Sequence, residues 1–66
     1  MKISVNGQGR DIPAPLTVAT LLQDLGLQGK RVAVEVNREI VPRTLQGERV
    51  LQDGDRVEVV QAIGGG

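Results

Sequence analysis

The 66-residue chain contains no cysteine, no histidine and no aromatic residue. Each absence closes a class of function. Without cysteine there is no disulfide staple, no thiolate metal site and no thiol nucleophile. Without histidine, no side chain has an ordinary pKa near neutrality, which removes the commonest general acid and base. Without Phe, Tyr or Trp there is no platform on which nucleobases could stack. The 8 basic and 8 acidic residues cancel, so the charge excess of a nucleic-acid binder is also missing. No apolar run approaches the roughly 20 residues of a membrane-spanning helix. The first residues, Met1-Lys2-Ile3-Ser4-Val5, alternate like a strand and do not read as a signal peptide. These absences predict a soluble cytoplasmic protein, with no nucleic-acid or membrane partner, no bound metal or cofactor, and no catalytic apparatus of its own.

What is present is aliphatic. Val, Leu, Ile and Ala supply nearly all of the 39% apolar content, enough for one small core and too much for a fully disordered chain. At this length one domain is expected, and a marginally stable one. Ile3 and Val5 alternate with Lys2, Ser4 and Asn6, the pattern of a half-buried strand. Asn6-Gly7 is a hairpin signal because both residues tolerate positive φ, and a returning strand is expected around residues 10–12. Pro13 and Pro15 close it, since neither donates a backbone hydrogen bond.

A helix of about ten residues is expected next, by its apolar spacing. Thr17 is placed to cap it, with Leu16 and Leu21 at the two positions of a hydrophobic staple. Val18, Leu21, Leu22 and Leu25 form its apolar stripe, and Gly26 fits the left-handed residue that ends it. Such a helix is too short to stand alone, so it must lie on a sheet. Val32, Val34 and Val36 mark the clearest strand. Asn37-Arg38-Glu39 reads as a turn, and Ile40-Val41 as a short edge piece stopped by Pro42. Residues 43–49 read as polar and irregular around Leu45, with Val50 and Leu51 re-entering the core. Asp53-Gly54-Asp55 is a turn, leading to a last strand over residues 56–61 with Val57 and Val59 inward and Arg56, Glu58 and Val60 outward. Strand, strand, helix, strand, short strand, strand is an α+β order, a mixed sheet packed on one helix.

Most motifs that suggest chemistry have a plainer reading. Gly7-Gln8-Gly9 lacks the Lys and Ser/Thr of a phosphate loop and opens no helix, so it is a hairpin turn. Asp53-Gly54-Asp55 lacks the further ligands of a calcium loop and is also a turn. Arg38, Arg43, Arg49 and Arg56 read as solvated. The end of the chain is different. Ala62-Ile63-Gly64-Gly65-Gly66 is costly to order and packs nothing. It reads either as a frayed end or as the working part, a thin flexible segment (62–66) carrying an α-carboxylate beyond a folded domain (1–61). Val60, Ala62 and Ile63 are apolar residues beside that end. They either cover the sheet edge or form a docking patch for a partner.

Two segments carry a family resemblance. One is Val32-Ala33-Val34-Glu35-Val36-Asn37-Arg38-Glu39-Ile40-Val41-Pro42-Arg43. The other is Asp53-Gly54-Asp55-Arg56-Val57-Glu58-Val59-Val60-Gln61-Ala62-Ile63, running into Gly65-Gly66. Together they resemble the thiamine-biosynthesis sulfur carriers (ThiS family), with the molybdopterin-synthase small subunit and ubiquitin as more distant relatives. The resemblance implies a ubiquitin-like β-grasp fold and a bacterial cytosolic carrier, taken as a monomer when free. It implies that an E1-like adenylating enzyme uses ATP to activate the Gly66 carboxylate. A sulfur donor protein then converts it to a thiocarboxylate, and thiazole synthase takes the sulfur. Gly65 and Gly64 would thread the tail into those active sites. The chain departs from the family in its third terminal glycine, Gly64, and in Leu45, where an aromatic often stands. Two related readings are a carrier for molybdopterin or tRNA thiolation and a ubiquitin-like protein modifier. A plain interaction domain, indifferent to loss of Gly64–Gly66, is the third.

Overall fold

The three aliphatic strand patterns and the amphipathic helix assemble into one sheet with one helix across its inner face. The computed structural model describes residues 1–61; Ala62, Ile63, Gly64, Gly65 and Gly66 lie outside the described residues. The elements are β1 (Lys2–Val5), β2 (Gln8–Asp11), α1 (Val18–Asp24), β3 (Val32–Val36), β4 (Glu39–Ile40), a 3-10 turn (Arg43–Leu45) and β5 (Arg56–Gln61). The sheet is five-stranded in the order β2-β1-β5-β3-β4. Its central pair, β1 and β5, is parallel, while β1–β2, β3–β4 and β3–β5 are antiparallel.

Both hairpins turn through residues with positive φ. Asn6 and Gly7 sit at 51° and 84°, and Asn37 and Arg38 at 52° and 69°. Two successive left-handed residues match the right-handed twist of the strands they join. The returning strand β2 spans Gln8–Asp11, earlier than expected, because a two-residue turn after Val5 starts the ladder at once with Val5 opposite Gln8. Ile12, expected within that strand, follows it and is buried in the core.

Helix α1 has seven residues, fewer than the ten expected, because the capping residues on both sides lie outside it. Thr17 Oγ1 accepts from the Thr20 amide at 3.1 Å. The other two free amides of the first turn find carbonyls in the 43–49 segment: Val18 donates to Arg49 O at 3.0 Å and Ala19 to Gln46 O at 2.9 Å. That segment is therefore not merely irregular. Its 3-10 turn presents the carbonyls that complete the helix start. At the other end, Gly26 (φ 75°) turns left-handed, its amide bonds Gln23 O, and Leu27 N–H bonds Leu22 O at 2.8 Å, satisfying the last carbonyls.

The core is wholly aliphatic: Ile3, Ile12, Val18, Leu21, Leu22, Val34, Val36, Val41, Leu51 and Val57 are buried. The alternation of β3 and β5 predicts which face each residue takes, and the burial follows it. Val34, Val36 and Val57 are inside, while Ala33, Arg56, Glu58 and Val60 are exposed. Leu51 re-enters the core as expected, but its neighbour Val50 does not and remains exposed. A bridge between Thr17 and Val50 ties this stretch to the helix start.

Candidate functional site: the C-terminal strand and its outer face

Strand β5 leads directly to the terminal residues, so what holds β5 decides where they begin. On one side it pairs with β3 through its last residue, with Val32 opposite Gln61 and Ala33 opposite Val60. On the other side the parallel ladder with β1 ends at the Val5–Val57 pair, because β1 turns away at Asn6. The Asn6 side chain continues the ladder in its place. Its Oδ1 accepts from Val59 N–H at 2.8 Å and its Nδ2 donates to Val59 O at 3.2 Å. A side-chain amide carries the same donor and acceptor as a peptide, so Asn6 pairs with β5 like one more strand residue. The sequence marks Asn6 as a turn residue, and nothing local marks this second role.

The start of β5 is clamped by the Asp-Gly-Asp turn. Asp53 Oδ1 accepts from Lys2 N–H at 2.7 Å. Asp55 is 9% exposed. Its carboxylate accepts from the Asn37 side chain at 3.0 Å and from the Gln52 amide at 2.8 Å. The Arg49 guanidinium lies 3.8 Å from the Asp55 carboxylate. Asn37 Oδ1 in turn accepts from Arg56 N–H at 2.9 Å. The plain turn reading is thus incomplete. Both carboxylates are occupied by protein donors, which is why they form a brace between the two hairpins and not a cation loop. Arg49, expected to be solvated, is half-buried against Asp55 and also donates to Val50 O at 2.6 Å. Among the described residues, no three His, Cys, Asp or Glu side chains gather as a metal site, and no helix is long and apolar enough to cross a membrane.

Of the expected docking residues, Val60 is on the outer sheet face and is 62% exposed. Ala62 and Ile63 lie outside the described residues, as do Gly64, Gly65 and Gly66 of the expected tail. The register extends the surface around Val60 in a way the sequence does not display. Glu58 stands directly opposite Glu35, and Glu35 directly opposite Ile40. Ile40 is 72% exposed. A second apolar area, a shallow groove lined by Ile40, Val41, Pro42 and Leu45, lies at the β4 edge. Leu45, where the resemblance leads one to look for an aromatic, is itself exposed.

A five-stranded mixed sheet in this order with a single helix across it is a ubiquitin-like β-grasp fold. The crystal structure of the thiamine biosynthesis protein (ThiS) from Geobacter metallireducens superposes with a TM-score of 0.86 at 35% identity, over the whole of both chains. The sulfur carrier protein ThiS of Escherichia coli is 36% identical over the full length of both chains. A thiazole synthase of Paramagnetospirillum magneticum is 46% identical over all 66 residues. The chain spans only about 20% of the length of the thiazole synthases it matches. The ThiS family model matches residues 3–66. The chain therefore belongs to the ThiS family of ubiquitin-like sulfur carriers.

Proposed function

We propose that this protein is the sulfur carrier for thiazole formation in thiamine biosynthesis, and that its working group is the α-carboxylate of Gly66. The observation that carries this reading is the family match, which runs through the terminal glycines as well as the fold. An E1-like partner binds ATP and brings its α-phosphate to the Gly66 carboxylate, which is ionised at neutral pH. Carboxylate attack releases pyrophosphate and leaves an acyl-adenylate. Hydrosulfide delivered by the sulfur donor attacks the activated carbonyl, the carbon–oxygen bond to AMP breaks, and loss of the sulfur's proton leaves the chain ending in a thiocarboxylate. Glycines suit the segment that threads such a site, because the absence of Cβ lets the backbone approach a ligand closely.

In this account the chain is a co-substrate and the partners supply acid, base and nucleophile. ATP is the adenylating enzyme's substrate and not a cofactor of the carrier. Thiazole synthase is the acceptor. A segment similar to this chain forms part of a polypeptide called thiazole synthase in Paramagnetospirillum magneticum, which favours that acceptor over molybdopterin or tRNA thiolation. The cytoplasm, where ATP is available, is the compartment proposed.

The first step has its own test. With the cognate adenylating enzyme and ATP, the chain should support exchange of labelled pyrophosphate into ATP, since acyl-adenylate formation is reversible. No exchange above the enzyme-only rate, with enzyme shown to bind ATP, would overturn the reading.

A further inference from the structure

Strand β5 is held at its two edges by different means. Along β3 the backbone ladder runs to the end of the strand, with Val32 opposite Gln61. Along β1 it stops well short of that end, with Val5 opposite Val57. Asn6 makes up the difference. In a parallel ladder, a residue that donates to one carbonyl accepts from the amide two residues further along. Asn6 N–H donates to Val57 O at 2.9 Å, so its main-chain carbonyl would be due to accept from Val59. The left-handed backbone of Asn6, with φ of 51°, turns the chain into β2 instead. The side chain then takes over. Its Oδ1 accepts from Val59 N–H at 2.8 Å, and its Nδ2 donates to Val59 O at 3.2 Å. One amide group thus replaces the carbonyl of residue 6 and the N–H that a continuing strand would have offered next.

The hairpin itself does not require this. Its turn needs residues that tolerate positive φ at both central positions, and glycine meets that need as readily as asparagine. What glycine at position 6 could not do is extend the two-sided hold on β5 from Val57 to Val59, toward the residues that precede the tail.

Building on the sulfur-carrier reading, we propose that Asn6 is a positioning residue for activation of Gly66, fixing the end of the strand from which the tail departs. It touches no reacting atom and acts through Val59. The adenylating enzyme must hold every residue between its grip on the fold and the Gly66 carboxylate in one arrangement before that carboxylate attacks ATP. Residues the carrier already holds need no ordering by the partner, whereas each one released adds to the entropy lost on binding. That loss weighs on the bound complex and the transition state alike. Removal of the brace therefore reads out as a higher KM for the carrier with kcat preserved.

The test compares the wild type with Asn6→Gly, which keeps the turn's backbone freedom and removes only the side-chain amide. Thr17→Ala is the control, because it removes the cap of α1 and lowers the melting temperature without touching β5. Amide hydrogen exchange is followed on the free carrier. Pyrophosphate exchange with the adenylating enzyme is measured against carrier concentration, at a temperature where all three proteins are folded. Asn6→Gly should speed hydrogen exchange at Val59 by about tenfold or more relative to the core amides. It should raise KM by about tenfold and leave kcat unchanged. Thr17→Ala should leave KM where it was. An unchanged KM in Asn6→Gly would overturn the positioning role, as would undiminished protection of Val59 or an equal rise of KM in Thr17→Ala. Each of these leaves the carrier reading intact. A wild type that supports no pyrophosphate exchange would overturn both, with the hydrogen-exchange result still reporting the brace on Val59.

Discussion

Deleting Gly65 and Gly66 is expected to abolish sulfur loading while leaving the melting temperature where it was. The two halves of this result come from separate parts of the chain. The buried core runs from Ile3 to Val57, and the ladder hydrogen bonds of β5 end at Gln61, so the deletion removes nothing the described fold rests on. The proposed chemistry rests wholly on what is removed. Truncation still leaves an α-carboxylate, but on Gly64, two residues nearer the fold. At about 3.3–3.6 Å per extended residue the reactive carbon is withdrawn by roughly 7 Å. A misplacement of about 1 Å already costs on the order of a hundredfold in positioned reactions, so loading should fall below detection. Gly66→Leu should fail for a different reason, since its side chain crowds the carbonyl that ATP and then sulfur must reach. Circular dichroism melts and acyl-adenylate formation measured side by side check both variants. A truncated chain that is loaded at the wild-type rate would refute the role of the tail.

The second large effect is on stability. Leu21→Ala should remove a large share of the protein's stability. Leu21 and Leu51 are the largest fully buried side chains, and in a chain without aromatics nothing bulkier can relax into the space. Leucine-to-alanine changes at such sites cost about 2–5 kcal/mol. At about 0.05–0.15 kcal/mol per residue, a domain of this length has only roughly 3–10 kcal/mol in total. Leu21 also lies in α1, whose seven residues depend on that contact for their helicity. Since 1 kcal/mol moves the midpoint of a small domain by about 4–8 °C, the melting temperature should fall by at least about 8 °C. A drop of a degree or two would show that the core is more compliant than its burial implies.

How much of this was legible in the sequence depended on the range of the interactions. Thr17, Gly26 and the Asn6-Gly7 turn act through bonds a few residues long, and the positions of those residues announced them. The valines of β3 and β5 announced their faces because side chains alternate along a strand. The Asp55–Asn37 bond, the Asn6 brace on Val59 and the Glu35–Glu58 opposition join residues 18, 53 and 23 positions apart. Each depends on sheet register, and no single segment encodes it. Arg49 was misread as solvated for the same reason, since its partner Asp55 lies across a turn. The 43–49 segment looked irregular because its contribution is backbone carbonyls, which are independent of side-chain pattern. The proposed tail chemistry was legible only through family resemblance. The run Gly64-Gly65-Gly66 marks a tail that is either frayed or working, but glycine carries no side chain, so nothing in the run itself names the reaction.

The central claim, that Gly66 accepts sulfur, is tested most directly by the intact mass of the full chain. The protein is incubated with its adenylating enzyme, ATP and a sulfur source, then weighed and fragmented. The account predicts a mass gain equal to the exchange of one oxygen for one sulfur, located by fragmentation at Gly66 and absent when ATP is withheld. An unchanged mass, in a reaction where the same enzyme demonstrably forms the acyl-adenylate, would contradict it. So would a product in which the chain is joined through Gly66 to a lysine of another protein and no thiocarboxylate forms.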